Sequence, residues 1–172
     1  MSTKINYDQF EIVLCRTSHP GNIGSTARAI KTMGFSKLTL VNPKQFPHSD
    51  ANALAAGAED VLNNAKVVKT IEEALIDSHL IIGFTARQRE LSQEHQNIRK
   101  IAKDLKNEPP QKKIALLFGN ETNGLSNDEI KHCHKLGYIN SNENYSSLNL
   151  AQAVQIICYE IRMHIGEGDG II

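Results

Sequence analysis

Long apolar runs are missing from this chain of 172 residues. The longest, such as Leu80 to Phe84 and Ile114 to Phe118, have strand length and fall far short of the roughly 20 residues that a membrane-spanning helix needs. The stretch from Met1 to Gln9 is polar and lacks the apolar segment of a secretory signal, so a cytoplasmic protein is expected. Cysteine is scarce. Cys15, Cys133 and Cys158 are odd in number, far apart and form no C-x-x-C pair, which argues against a disulfide framework and against a zinc site. The seven histidines are scattered apart from His132 and His134, a pair that reads as surface, and no metal is expected. Net charge is lacking too: 19 Lys and Arg balance 19 Asp and Glu, so composition gives no sign of a nucleic-acid partner. There is no internal repeat and no low-complexity tract.

What is present fits one compact domain over residues 1–172, with 40% hydrophobic residues to build a continuous core. Strand-length segments recur at Phe10 to Cys15, Leu38 to Val41, Lys66 to Val68, Leu80 to Phe84, Ile114 to Phe118 and Gly137 to Ile139. Helical stretches lie between them. Thr70 with Glu73, and Ser126 with Glu129, have the S/T-x-x-E spacing of a capping box. Leu150, Val154, Ile157, Cys158, Ile161 and Ile165 fall on one stripe of a last helix, which is either core or a dimer surface. Pro109-Pro110 reads as an exposed turn inside the domain. The alternation predicts an α/β fold, a mostly parallel sheet with helices on both faces. Ligands in such folds sit beyond the carboxyl ends of the strands, here the loops after Cys15, Phe84, Phe118 and Ile139.

Charge is unevenly placed. Arg87, Arg89, Arg99, Lys100, Lys103, Lys106, Lys112 and Lys113 make a basic stretch, which is a solvated helix face plus a loop or a local surface for RNA.

Three of the loops carry unusual residues. In the first, His19 to Arg28, glycines 21 and 24 with Asn22 suit a tight strand-to-helix turn, and the helix start that follows offers free N–H groups to an anion. Arg28 sits among Ala27, Ala29 and Ile30, where a guanidinium needs a partner or a ligand. In the second, Leu117 to Ser126, the glycines have Walker A spacing, but Leu125 replaces the phosphate-binding lysine and Glu121 would repel phosphates. A nucleotide triphosphatase is therefore disfavoured, and a neutral or cationic ligand suits Gly119, Asn120 and Glu121 better. The third, Ile139 to Leu150, is a polar loop whose serines or asparagines suit a helix N-cap.

Taken in order, these segments resemble the signature motifs of the SPOUT methyltransferases, in the branch that methylates RNA ribose. Asn22, Gly24 and Arg28 match the first motif. Gly119, Glu121, Gly124 and Leu125 match the second, and Ser147, Leu148 and Asn149 the third. Within that branch the chain is most similar to the TrmJ-type tRNA (cytidine/uridine-2′-O-)-methyltransferases, through Lys31 to Phe35, Leu40 to Pro43, Leu54 to Ala58, Thr85 to Arg89 and Asn144 to Leu150. The likeness runs from about Phe10 to about Met163.

The resemblance implies a C-terminal trefoil knot, which composition could never suggest. It also implies S-adenosylmethionine as cofactor, held by Phe84, Thr85 and Ala86, by Gly119, Asn120 and Glu121, and by Ile139, Ser146, Ser147 and Leu148. The implied reaction is 2′-O-methylation of cytidine or uridine 32 in the tRNA anticodon loop. The same chemistry on another tRNA or rRNA nucleotide, or a non-catalytic RNA-binding relative, are the alternatives. Arg28 would hold a phosphate and stabilise developing oxyanion charge, because a guanidinium resists deprotonation. Asn22, Ser147 and Asn149 would orient the ribose and the arginine, while Arg87 or Arg89 would grip RNA phosphates. A homodimer is implied, with the last helix's stripe available for packing. The chain departs from its relatives in having Ile139-Asn140 where many have Ile-Pro, and in ending at Ile172 without their helical extension.

Overall fold

The longest apolar runs are short because the strands they form are buried on both faces and only have to cross the core once. The computed structural model describes residues 5–86 and 94–165, so Arg87 and Arg89 lie outside the described residues. Within them, β1 (Phe10–Cys15), β2 (Leu38–Val41), β3 (Lys66–Val68), β4 (Leu80–Phe84), β5 (His95–Asn97), β6 (Ile114–Phe118) and β7 (Lys135–Tyr138) form one sheet in the order β3-β2-β1-β6-β4-β7-β5. Every pairing is parallel. The expected α/β architecture is present, and the helices cover both faces: α1 (Pro20–Thr32), α2 (Ser49–Ala55), α3 (Glu59–Asn63), α4 (Ile71–Leu75), α5 (Ile98–Leu105), α6 (Asn127–Lys131) and α7 (Leu150–His164).

Alternation along the strands builds two cores. Ile12 and Leu14 of β1, Ile82 and Phe84 of β4, and Leu116 and Phe118 of β6 pack with α1, α2, α3, α5 and α7 on one face. Val13, Cys15, Ile81, Ala115 and Leu117 pack on the other with Ile71 and Leu75 of α4 and, beside them, Ile130 of α6. Both predicted capping boxes exist. Thr70 Oγ1 accepts from the Glu73 N–H at the start of α4, and Ser126 Oγ accepts from the Glu129 N–H at the start of α6.

Three expectations are corrected, and one strand was not expected. Of the two readings of the α7 stripe, core holds: Leu150, Val154, Ile157, Cys158, Ile161 and Ile165 are buried in the chain's own core, which corrects only their availability as a dimer face; the exposed apolar residues of α7 are Tyr159 and Met163. Helix α1 begins at Pro20, so the glycines expected in a turn lie inside the helix. A Cβ on Gly24 would sit 2.1 Å from the Ala51 carbonyl oxygen, so this glycine serves the close approach of α1 to α2. The last strand is Lys135–Tyr138 rather than 137–139. Strand β5, with the sequence His-Gln-Asn, carries no aliphatic signal and is an edge strand held by its pairing to β7.

Candidate functional site

Strands β6, β4 and β7 are neighbours, and their ends are level: Phe84 is in register with Phe118 on one side and with Gly137 on the other. The three loops that follow therefore open at the same height, around a cavity of about 680 Å³. Phe84, Thr85 and Ala86 line it from the end of β4, and Gly119, Asn120 and Glu121 from the loop after β6. Ile139, Ser146, Ser147 and Leu148 line it from the loop after β7. All ten residues expected around a cofactor thus share one cavity, with Phe84 and Phe118 stacked at its floor, ring centroids 5.2 Å apart.

Two local features fit a ligand. Thr85 Oγ1 is buried and has no hydrogen-bond partner among the described residues, an omission that a polar ligand atom would repair. Gly119 has its missing side chain against the backbone of Gly124 and Leu125, where a Cβ would lie within 2.2 Å of both. Any other residue there would push the loop open. The loop also closes on itself through the Gly124 N–H, which donates to the Asn120 carbonyl at 2.8 Å.

The three motif segments are joined through side chains. Glu121 accepts from the Ser18 N–H at 2.8 Å, the His19 N–H at 3.0 Å and Asn22 Nδ2 at 2.9 Å. Asn22 Oδ1 in turn accepts from Asn149 Nδ2 at 3.2 Å. Asn149 is the N-cap of α7, its Oδ1 accepting from the Ala151 and Gln152 amides. Partial burial pushes the Glu121 carboxyl upward, but the Ser18, Asn22 and His19 donors outweigh it and hold the group below the usual carboxylate range. The anion site expected at the entrance to α1 is thereby corrected. The Ser18 and His19 amides just ahead of α1 already serve a carboxylate of this chain, and a phosphate placed there would meet that negative charge.

The profile of the SpoU rRNA methylase family matches residues 9–159. The chain belongs to the SpoU methylase family. It is 50% identical over 156 residues to the tRNA (cytidine/uridine-2′-O-)-methyltransferase TrmJ of Pectobacterium atrosepticum, covering 91% of this chain and 65% of that protein. The chain therefore spans just under two thirds of that relative's length. A probable methylase family protein from Haemophilus influenzae Rd KW20 superposes with a TM-score of 0.87 at 46% identity, over 92% of this chain and 67% of the other. An AdoMet-bound rRNA methyltransferase from Sinorhizobium meliloti superposes with a TM-score of 0.73 at 25% identity, over 94% of this chain and 59% of the other.

Not every expected residue of this SpoU-family chain reaches the cavity. Ser147 lines it, whereas Asn22 and Asn149 stand behind Glu121 and do not. Arg28 is exposed on α1, makes no hydrogen bond or ion pair among the described residues and does not line the cavity. Its apolar sequence neighbours face the core while its own side chain points outward, so it has no internal need of a partner. The histidine pair divides: His134 Nδ1 accepts from the Ile81 N–H at 2.9 Å, and His132 lies 3.3 Å from Glu72. With Asp128 these last two bring three candidate metal-ligand atoms within 4.8 Å of one another, outside the cavity lining. Sequence reasoning passed over Arg16, whose contact with the loop after β6 has no local motif to announce it.

Proposed function

We propose that this SpoU-family chain transfers a methyl group from S-adenosylmethionine to the ribose 2′-hydroxyl of cytidine or uridine 32 in the tRNA anticodon loop, in the cytoplasm. The observation that carries the reading is the joining of the three motif segments through Glu121, Asn22 and Asn149, with the second and third of them lining one cavity. The half-identical TrmJ relative supports the tRNA substrate, and the AdoMet-bound neighbour supports the cofactor.

Bound S-adenosylmethionine supplies a methyl group already activated on a sulfonium, so the chain's task is alignment and proton management. Thr85 Oγ1, the backbone of Gly119 to Glu121 and the loop of Ile139 and Ser146 to Leu148 hold the cofactor. Asn22 and Asn149 fix the start of α7 against the start of α1, and Ser147 meets the ribose. Arg28 neutralises the neighbouring phosphate and the charge that grows on the 2′-oxygen. Since Arg28 does not line the cavity of its own chain, it serves the cavity of a second copy, in a homodimer. Arg87 or Arg89 grips RNA phosphates. The insertion of β6 between β1 and β4, and of β7 between β4 and β5, supports a C-terminal segment threaded as a trefoil knot.

Calorimetric titration with S-adenosylmethionine, S-adenosylhomocysteine and ATP tests the cofactor. Binding of both adenosyl compounds near one site per subunit, and none of ATP, is expected. A folded protein that binds neither would defeat the reading. Transfer assays on unmodified tRNA then test the substrate. Arg28→Ala is expected to lower the transfer rate at least about a hundredfold with cofactor affinity retained; a rate near that of the parent protein would remove Arg28 from the mechanism.

A further inference from the structure

Arg16 follows the last residue of β1 and adopts a left-handed backbone, φ 57°. For a residue with a Cβ this conformation is disfavoured, and it persists only where the surroundings hold it. Its N–H donates to the Val41 carbonyl of β2 at 2.8 Å, and its carbonyl and side chain are held by the loop after β6. Asn120 Nδ2 donates to the Arg16 carbonyl at 2.7 Å and to Ser18 Oγ at 3.0 Å. From the same residue, the guanidinium reaches the far end of that loop: Nη2 donates to the Gly124 carbonyl at 3.1 Å. The guanidinium is itself fixed by a two-point pairing with Glu129, Nε to Oε2 at 2.7 Å and Nη2 to Oε1 at 2.9 Å. Glu129 is buried and also accepts from the Ser126 N–H at 2.8 Å, so it is tied to the start of α6.

We infer that Arg16 is a positioning residue for the adenosyl site, gripping the Asn120–Gly124 loop at both ends, backbone at one and guanidinium at the other, with Glu129 as its anchor. The inference rests on the methyltransferase reading, because the loop so held is the one that presents Gly119, Asn120 and Glu121 to the cavity. The left-handed turn is what lets one residue do both. It brings the carbonyl and the side chain of Arg16 to the same loop, where an extended residue would send them apart. A fork of N–H donors is required for the double contact. Lysine, a point donor, cannot span Glu129 and the Gly124 carbonyl in one fixed geometry.

A merely structural ion pair would predict something different, and Arg99 provides the control. It makes a similar two-point pairing with Glu160, at 3.2 and 3.0 Å, on the surface between α5 and α7. The experiment compares the parent protein, Arg16→Met, Arg16→Lys and Arg99→Met. S-adenosylhomocysteine affinity is measured by calorimetry at a temperature where all four are folded by circular dichroism, with thermal midpoints recorded alongside. Arg16→Met is expected to weaken binding about tenfold or more, and to raise KM for S-adenosylmethionine while kcat at saturation stays within about twofold. Arg16→Lys should recover less than half of that loss on a logarithmic scale, and Arg99→Met should bind as the parent does. Arg16 variants that are folded, lower in thermal midpoint and unchanged in affinity would overturn the inference. If Arg16→Met fails to fold, Arg16→Lys alone decides, since it keeps the charge beside Glu129; parental affinity in it overturns the inference. Failure of the parent protein to bind the adenosyl compound would strike the methyltransferase reading instead.

Discussion

Asn22 is where the loops after β1, β6 and β7 meet, one side-chain amide serving as donor to Glu121 and acceptor from Asn149. Aspartate there would lose the donor, and alanine would lose both roles. Asn22→Ala is therefore expected to reduce methyl transfer about a hundredfold, with a fall in thermal midpoint of only a few degrees; activity within twofold of the parent would show that the join is decorative. Glu121 offers a test by pH. Its folded carboxyl lies below the usual range, near 4.3 for glutamate, so its stabilising share is present above that value and is lost as pH falls through the folded value. The stability difference between the parent and Glu121→Gln, from urea unfolding, should be largest near neutrality and shrink steadily below about pH 4. A difference constant from neutrality down to pH 2 would mean that the folded protein does not favour the charged carboxylate.

Helix α1 is the element on which packing and site depend together. Its first turn carries Asn22 toward the motif loops, and Gly24 lets the same helix approach α2. Gly24→Ala would gain about 1 kcal/mol of helix propensity. The added methyl would nevertheless collide with the Ala51 carbonyl, which is backbone and cannot swing away, and overpacking of this kind costs about 1–3 kcal/mol. A net drop of several degrees in thermal midpoint is expected. Gly21→Ala, whose methyl would meet only the movable end of the Leu54 side chain at 2.8 Å, should be milder. Equal effects would contradict the packing argument. The elements themselves were largely legible before the structure, because aliphatic runs of strand length and capping-box spacing are local signals. Strand β5 was not, since His95, Gln96 and Asn97 have no apolar pattern and are in the sheet only because β7 offers them an edge.

At the scale of the whole molecule, the central strands of the sheet are closed off from solvent on both faces, and the three thiols go with them. Cys15, Cys133 and Cys158 are all free and buried. Burial raises all three, and the nearby Glu129 charge adds to the rise at Cys15 and at Cys133, which is pushed up to about 12. A thiol reagent at pH 8 should therefore modify none of them in the folded protein and all of them in denaturant; rapid labelling of a folded thiol would show that a core opens locally.

The sequence by itself determined the parallel α/β class, the capping boxes of α4 and α6, ten of the residues around the cavity and the family, because each depends on residues adjacent in the chain or on motifs in fixed order. Only the tertiary structure decided that Glu121 serves the start of α1, that the α7 stripe is core, that Arg28 lies outside its own cavity and that Arg16 grips the loop after β6. Those facts rest on contacts across long sequence separations, 103 residues from Ser18 to Glu121 and 108 from Arg16 to Gly124. Folding creates such pairings, and no periodicity in the chain records them.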